Sequence, residues 1–195
     1  MTAAVLYPRP LGATVEEQRA RLPAAAECPD PIEGTWLAHK FEPGWGEWYI
    51  YTLKVKRAAP GSTDLTGEIE SHYWNGGPKD AQPPPCHPGM FRYVVHMPAK
   101  GTYLNESIQF RGLSWKADPP LCPQAQGMGY NPDNFTGKID RKTQEFQSLN
   151  NDGGKAVNDP TVFRRVRCLE EPPPPGAKAT PPPFEPPRRL FRCGK

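Results

Sequence analysis

The chain has 195 residues, with 24 Lys and Arg against 21 Asp and Glu, so its net charge is +3 at pH 7. This length suits one domain with a sizeable core. The near balance of charge excludes the strongly basic composition of a nucleic-acid-binding domain, and no run of about 18 apolar residues is present to span a membrane.

Residues 1–30 are predicted to form an N-terminal arm with a short helix. Thr14 is followed three residues later by Glu17, which is the spacing of a capping box, and acidic residues occupy the first turn. The helix is therefore predicted over 14–22, before Pro23. The first residues, MTAAVLYPRPLGATVEEQ, lack the apolar core of a signal peptide. We expect a protein that is either cytoplasmic or shown without its leader.

From residue 32 onward the apolar residues recur with a period of two. Eight runs rich in aromatic and β-branched residues are separated by Gly, Pro, Asn and Asp, which predicts eight β-strands. The runs are IEGTWLAHKF, EWYIYTLKVKR, DLTGEIESHYW, MFRYVVHMP, ESIQFRGLSW, NFTGKID, EFQSLN and TVFRRVRC.

Alternation is clearest in the second to fifth runs, where one face is apolar and the other is charged. This pattern is typical of an antiparallel sheet with one packed face and one wet face. Because no helix separates the strands, the sheet should close into a barrel or split into a β-sandwich. The residues expected to point inward are Tyr49, Tyr51, Leu53, Val55, Leu65, Gly67, Ile69, Tyr73, Phe91, Tyr93, Val95, Met97, Ile108, Phe110 and Gly112.

Two strands carry a glycine between apolar flanks, in LTGEIE at 65–70 and FTGKID at 135–140. Glycine weakens a strand interior, so its presence there needs a reason. An inward glycine lets a strand bend and lets a neighbouring strand approach closely, which a closing barrel requires. The alternative is that this common dipeptide recurs by coincidence.

The five cysteines include no C-x-x-C pair, which argues against a structural zinc site. Cys28 and Cys168 lie just outside the first and last strands, whereas Cys86 and Cys122 each lie in a proline-rich loop. We predict disulfides 28–168 and 86–122, with Cys193 free, although four cysteines permit three connectivities. Disulfides would place the protein in an extracytoplasmic or secreted location. Unpaired thiols in the cytoplasm are the alternative.

The stretch Gly34-Thr35-Trp36 at the start of the first strand resembles the calycins, the superfamily of lipocalin-like and avidin-like barrels. LTGEIES resembles the second or third strand of avidin-type barrels, and NDPTVFRRVR is similar to their closing strand. The resemblance covers about 31–168 and implies an up-and-down antiparallel barrel whose interior can hold a small ligand. In lipocalins a basic residue packs over the motif tryptophan, and the resemblance offers three candidates for it. These are Arg164, Arg165 and Arg167.

Aromatic residues are concentrated around the predicted strands and could line a pocket, since ligand cavities are mostly aromatic with a few polar groups. Trp45 lies between two glycines on a predicted loop tip and is the hardest of them to bury. The alternative is that the inward members simply fill a small barrel. The candidate ligand-binding residues are Trp36, Trp45, Trp48, Tyr49, Tyr51, Tyr73, Tyr93 and Trp115.

No catalytic motif, metal site or cofactor-binding motif is found in the sequence. His72 and His96 share the wet face but lack further ligands at metal-binding spacing. Glu68 and Glu70 face outward, so they are interpreted as cross-strand charge partners rather than as a catalytic carboxylate pair. We therefore expect the protein not to be an enzyme.

Residues 169–195 are predicted to form an extended, proline-rich tail that cannot bury a core. Pro183, Pro186 and Arg188 fit the P-x-x-P-x-R pattern that SH3-like domains bind. A plain spacer is the alternative.

The sequence thus predicts an all-β barrel domain at 31–168 that acts as a non-enzymatic binding module. One hypothesis is capture of a small apolar or aromatic ligand in the barrel, or recognition through its loops. The other is a structural or protein-interaction subunit that uses the tail and the long loops to bind a partner protein.

Overall fold

A computed structural model describes residues 14–119, 122 and 127–169 of the chain. These residues form one helix and nine strands. The elements are α1 (Val15–Arg21), β1 (Gly34–Glu42), β2 (Glu47–Arg57), β3 (Asp64–Asn75), β4 (Arg92–Leu104), β5 (Ser107–Gly112), β6 (Lys116–Ala117), β7 (Asn134–Asp140), β8 (Glu145–Asn150) and β9 (Asp159–Arg167).

Eight of the strands close into an antiparallel up-and-down barrel. Each strand pairs with the next along the chain, β5 pairs with β7, and β9 returns to pair with β1. The prediction of eight strands in an all-β barrel is confirmed, and the sandwich alternative is wrong. The remaining strand, β6, has two residues and lies outside the closed ring of eight, where it pairs with β4 at Val95 and His96. The sequence did not predict it.

The alternation predicted from the sequence places the core inside the barrel. Leu53, Ile69, Val95, Met97 and Phe110 are all fully buried, as the period of two required. The deeper interior is filled by aromatic rings. Tyr51 packs edge-on to Phe135 at 5.1 Å, and Phe135 packs edge-on to Phe163 at 4.8 Å.

One end of the barrel is closed by a plug built from Trp36 and Arg165. The Arg165 guanidinium lies 5.3 Å from the centre of the Trp36 ring, a cation–π contact. Arg165 also donates to the carbonyl oxygens of Asp30 and Glu33, at 2.5 and 3.2 Å. Of the three candidate arginines, Arg165 is the one that packs over the tryptophan. The resemblance to calycins itself stays a prediction, because a barrel alone does not identify a family.

The two strand glycines lie where the backbone of a neighbouring strand leaves no room for a Cβ. A Cβ at Gly67 would clash with the carbonyl oxygen of Lys54 on β2. A Cβ at Gly137 would clash with the carbonyl oxygen of Gln147 on β8. The predicted reason for these glycines, close approach of an adjacent strand, is confirmed, and coincidence does not explain them.

The predicted capping box starts helix α1. The backbone N–H of Glu17 donates to the Thr14 hydroxyl, and the Glu17 carboxylate accepts from the Thr14 backbone N–H. The helix packs on the outside of β9, where buried Gln18 donates to the carbonyl of Pro160 at 3.2 Å and accepts from the N–H of Val162 at 2.9 Å. It is the only helix among the described residues, and its length is too short to cross a membrane.

A second apolar cluster lies on the outer face of the barrel, beneath the loop that follows β3; we call it the outer cluster. Trp48 stacks with Trp74 at 6.0 Å, and their indole N–H groups donate to the carbonyls of Gly77 and Asp80 at 2.9 and 2.8 Å. The other buried members are Phe41, Met90 and Cys122. Because Cys122 is disulfide-bonded to Cys86, the cluster joins the two proline-rich loops.

Both predicted disulfides are present. Cys28 and Cys168 have their Cα atoms 5.5 Å apart and bridge 140 residues of sequence. Cys86 and Cys122 have their Cα atoms 5.4 Å apart and bridge 36 residues. The first disulfide ties the N-terminal arm to the end of β9, and the second ties together two loops.

Replacing Gly137 by Ala should destabilise the barrel, because the added methyl group forces β7 and β8 apart. We expect the free energy of unfolding to fall by about 2 kcal/mol, the typical cost of overpacking. Urea denaturation measures this change. The control is Gly129→Ala, because a Cβ at Gly129 meets nothing within 4 Å. Equal stability of the two variants would contradict the close-approach explanation.

The disulfides predict a specific thiol count. Protein unfolded in guanidinium without reductant should react with one equivalent of a thiol reagent, because only Cys193 is expected to be unpaired. After reduction it should react with five, since the chain has five cysteines. The Cys193→Ser variant is the matched control and should give no reaction before reduction. Five reactive thiols in the unreduced chain would mean that the disulfides do not form.

Candidate functional site

The end of the barrel opposite the plug holds a pocket of about 480 Å³, which we call the mouth pocket. The loops that follow β1 and β8 contribute to its rim, together with Gly129 and Asn131 from the segment before β7. The inward residues at the mouth ends of β2 and β4 form its wall. The two ends of the barrel therefore differ: Trp36 and Arg165 close one end, and the other end contains the mouth pocket.

A chain of tyrosine rings, which we call the tyrosine belt, runs along the wall of the mouth pocket. Tyr49 stacks on Tyr51 at 5.6 Å and meets Tyr73 edge-on at 5.2 Å. Tyr73 stacks on Tyr93 at 4.8 Å, and Tyr93 meets Tyr130 edge-on at 5.9 Å. Four of the five tyrosines are in the belt because the period of two places every second residue of β2, β3 and β4 on the inner face. Tyr130 joins the belt from the segment before β7.

The hydroxyls of the tyrosine belt stay protonated and can act as hydrogen-bond donors. Burial raises the pKa of Tyr51, Tyr93 and Tyr130 well above the ordinary value, and nearby Asp133 adds to the increase for each of them. Among the described residues, the hydroxyls of Tyr51 and Tyr93 have no hydrogen-bond partner. Both residues line the mouth pocket, so their hydroxyls are available to a bound molecule.

A buried carboxyl group, Asp133, lies at the base of the mouth pocket. Its oxygens accept hydrogen bonds from the Tyr130 hydroxyl at 2.5 Å and from the Asn150 amide at 2.6 Å. Burial, together with the charges of Asp152 and Asp159, outweighs these hydrogen bonds and raises the pKa of Asp133 from 3.8 to about 7. The charge of this group therefore changes near neutral pH.

A buried ammonium group, that of Lys40, lies behind two carboxylates that line the mouth pocket, those of Glu42 and Asp159. It is 2.6 Å from both carboxylate oxygens of Asp159 and 2.7 Å from Glu42. Lys40 is almost completely buried, and a buried charge is retained only when it is paired. These two carboxylates thus neutralise Lys40.

The Lys155 ammonium group lies at the entrance of the pocket, over the ring of Trp45 at 4.7 Å from its centre. It also forms an ion pair with Glu47, whose carboxylate accepts hydrogen bonds from the hydroxyls of Tyr49 and Tyr73 at 2.9 Å each. The contact joins the loop after β1 to the loop after β8. Trp45 is 72% exposed, so this contact is in reach of solvent.

The mouth pocket brings together half of the aromatic residues that the sequence singled out. Trp45, Tyr49, Tyr51 and Tyr93 line it. Tyr73 is part of the tyrosine belt, and Trp115 lies 6.1 Å from the Tyr130 ring.

Two of the candidate ligand-binding residues lie elsewhere. Trp36 belongs to the plug, and its indole N–H donates to the carbonyl of Ile32 at 2.9 Å. Trp48 has the opposite parity to Tyr49 on β2, which turns its side chain out of the barrel and into the outer cluster. Neither side chain lines the mouth pocket.

Sequence reasoning did not identify Tyr130, Asp133 or Lys155. Tyr130 and Asp133 lie in an irregular segment where no period exists to indicate a direction. Lys155 ends the stretch NDGGK at 151–155, whose paired glycines are typical of a turn, but a turn does not show which residue across the barrel its lysine meets. The available signal for Asp133 was its place directly before a strand, at the end of the barrel where Tyr49 and Tyr93 also lie.

A second depression, of about 550 Å³, lies outside the plug around the Cys28–Cys168 disulfide. Three of its four charged groups, Asp30, Glu33 and Arg57, are already engaged with one another. Arg57 donates to the Asp30 carboxylate at 2.7 Å, and its backbone N–H donates to Glu33 at 2.8 Å. We therefore regard the mouth pocket as the candidate site.

The outward histidines and glutamates form surface contacts. His96 lies directly across from Glu70 on β3, and its ring nitrogens lie 2.8 Å from Glu68 and 3.3 Å from Asp118. His72 accepts a hydrogen bond from Arg92 at 3.2 Å. In the part of the chain that the structure describes, no group of three His, Cys, Asp or Glu residues is placed to hold a metal ion.

The predicted partner-binding residues Pro183, Pro186 and Arg188 lie outside the described residues, as does Cys193. The interaction hypothesis for the tail therefore stays a prediction.

Comparisons with protein-family models, with curated proteins and with solved structures found no match to this chain.

The raised pKa of Asp133 should make stability depend on pH. The pKa of Asp133 is higher in the folded state than in the unfolded chain, where the ordinary value is 3.8. Its contribution to the free energy of unfolding is therefore fully present below pH 3.8 and is lost as the pH rises through about 7. In Asp133→Asn the side chain cannot ionise. The unfolding free energy of wild type minus that of the variant should therefore fall by about 1.4 kcal/mol per pH unit between these values.

Urea denaturation at intervals from pH 4 to pH 8 measures this slope. The control is Asp64→Asn, which changes an exposed carboxylate at the plugged end of the barrel. Its stability difference from wild type should show no such fall. A flat difference for Asp133→Asn would mean that Asp133 is ionised in the folded state throughout this range.

Proposed function

We propose that the chain is a non-enzymatic binding protein that takes up a small ligand with an aromatic ring in the mouth pocket. The observation that supports this most strongly is the cavity of about 480 Å³ walled by the tyrosine belt. Small-molecule sites are concave, about 300–1,000 Å³ in volume, and lined by aromatic side chains with a few polar groups. The mouth pocket has each of these properties.

The filled interior limits how deep the ligand can go. Tyr51, Phe135 and Phe163 occupy the barrel below the mouth pocket and are almost fully buried. The ligand is therefore held at the mouth, between the tyrosine belt and the loops, and does not enter the interior of the barrel. A molecule of one or two rings fits this depth.

The pKa of Asp133, raised to about 7, suits acid–base chemistry, and perturbed carboxyls in clefts often belong to active sites. Both of its oxygens are engaged, one by Tyr130 and the other by Asn150. The hydroxyl that contacts it belongs to Tyr130, whose raised pKa makes it a poor nucleophile. These contacts favour a binding role for Asp133 over proton transfer.

We also propose that the protein works in an oxidising, extracytoplasmic compartment. The support for this is the pair of disulfides, 28–168 and 86–122, since such bonds persist in oxidising compartments and are rare in the cytosol.

Filling the mouth pocket should abolish ligand binding. Gly129 lines the pocket, and a Cβ there meets nothing within 4 Å, so Gly129→Trp should place an indole in the cavity without forcing the backbone apart. A panel of single-ring aromatic fragments, some charged and some neutral, is screened by saturation-transfer NMR. We expect wild type to bind members of the panel and Gly129→Trp to bind them at least tenfold more weakly, on the order of 1.4 kcal/mol.

The matched control is Lys138→Trp, which adds the same side chain to the exposed outer face of β7. It should bind the fragments as wild type does. Thermal melts of both variants establish that they are folded. Fragment binding that survives Gly129→Trp, or a wild-type protein that binds no fragment, would contradict the proposed function.

A further inference from the structure

We propose that the ligand of the mouth pocket is cationic, an ammonium group carried on an aromatic molecule, held by tyrosine faces and by carboxylates that have no cation of their own. This inference rests on the proposed function and specifies its ligand. Three separate observations lead to it: the balance of charge around the pocket, the aromatic wall, and the position of Lys155.

The charge around the mouth pocket is acidic. Five carboxyls line or adjoin it, against two ammonium groups, those of Lys40 and Lys155. The carboxyls belong to Glu42, Glu47, Asp133, Asp152 and Asp159. The excess creates a field that attracts cations, which a low-dielectric cleft strengthens.

The existing ion pairs leave two carboxyls without a cationic partner. Lys40 is paired with Glu42 and Asp159, and Lys155 is paired with Glu47. Within the described ranges, no cation lies within ion-pair distance of the other two. Asp133 is bonded to neutral groups, and Asp152 accepts only backbone N–H bonds, from Gly154 at 2.7 Å and Ala156 at 3.1 Å.

The ion pairs around the mouth pocket also argue against an anionic ligand. An anion entering the mouth pocket would find neither ammonium group free to pair with it, and it would be repelled by the two unpaired carboxyls. A neutral ligand would leave those carboxyls as they are. Only a cation adds a favourable charge interaction.

The wall of the mouth pocket is suited to an organic ammonium rather than to a metal ion. The faces of tyrosine and tryptophan rings attract cations through their quadrupoles, and cages of such rings bind alkylated ammonium groups. Trp45, Tyr49, Tyr51, Tyr93 and Tyr130 supply these faces. A metal ion would instead require a cluster of oxygen, nitrogen or sulfur ligands.

The protein already holds an ammonium group in this setting. The Lys155 side chain lies over the Trp45 ring and on the Glu47 carboxylate, and is about half exposed. Trp45 and Glu47 thus form a small cation site that is occupied by a side chain of the same chain. A ligand ammonium that reaches the entrance can displace Lys155 there, or it can pass on to Asp133 and Asp152.

Three probes that share a benzene ring and differ in charge test this inference. They are benzylamine, benzyl alcohol and benzoate. Their affinities for the full-length protein are measured by NMR titration at pH 7.5, where the amine is protonated. We expect benzylamine to bind at least tenfold more tightly than the alcohol and the acid, the difference that one ion pair or cation–π contact supplies.

Two variants locate the effect. In Asp152→Asn, benzylamine should bind about fivefold more weakly while benzyl alcohol is unchanged. In Lys155→Met, benzylamine should bind about threefold more tightly, because the competing internal ammonium is gone and the aliphatic stem is kept. Asp64→Asn also removes one negative charge, but at the plugged end of the barrel, so it is the control for Asp152→Asn and should bind benzylamine as wild type does. If Lys155→Met bound both benzylamine and benzyl alcohol more weakly than wild type, Lys155 would contribute to binding by contacting the ligand. That result would overturn its role as a competing cation.

The pH dependence supplies an independent measurement, made with benzyltrimethylammonium because that cation does not titrate. Its affinity should rise several-fold, about fivefold, from pH 6 to pH 8 as Asp133 ionises, and stay constant in Asp133→Asn. The titratable groups that face Asp133 are Tyr51 on β2, Tyr93 on β4, Tyr130 before β7, Asp152 in the loop after β8, and Asp159 on β9. An affinity that is independent of pH in wild type would count against Asp133 as part of the cation site.

The outcomes separate this inference from the proposed function. If benzyl alcohol or benzoate binds as tightly as benzylamine, the preference for cations is wrong and ligand binding stands. If none of the three binds while other fragments of the panel do, the result is the same. If no fragment binds at all, both proposals fail.

Discussion

The structure depends on closing an eight-stranded sheet around a small interior, at the seam between β9 and β1. This seam is short, with three paired positions and a register shift beside Trp36. Closure at this radius brings backbones so close that no side chain fits at Gly34, where a Cβ would meet the carbonyl oxygen of Arg167 at 2.5 Å. The cation–π contact of Arg165 and Trp36 covers the inner side of this seam. The plug and the closure of the barrel are therefore the same set of contacts.

Plugging one end determines what the other end can do. Arg165 donates to the backbone carbonyls of Asp30 and Glu33 at the plugged end, and the aromatic core fills the middle of the barrel. Space remains at the mouth, where the strands diverge into loops. Four of its charged groups, Lys40, Glu42, Glu47 and Asp159, come from strands, and three, Asp133, Asp152 and Lys155, come from loop segments. The tyrosine belt comes from strands except for Tyr130, which lies before β7.

Much of this architecture could be predicted from the sequence, because period and position carry direct physical information. The alternation in β2 identified Tyr49 and Tyr51 as inward residues, and the loop positions of Cys86 and Cys122 suggested their pairing. Prediction failed where no period exists. Asp133 and Lys155 lie in irregular loops, and their partners come from distant parts of the chain, so only the three-dimensional structure shows that they meet the tyrosines. Trp48 shows a related failure, because its aromatic character suggested a pocket while its parity placed it on the outer face.

The separation of plug and mouth has a consequence for how the protein can change over time. The residues that close the barrel and those that form the rim share no side chain, and the loop after β8 carries Lys155 on a turn that holds no part of the plug. Substitutions in this loop can alter what the pocket accepts while leaving the closure of the barrel intact. The scaffold is accordingly suited to the evolution, or the engineering, of new specificities by exchange of a single surface loop.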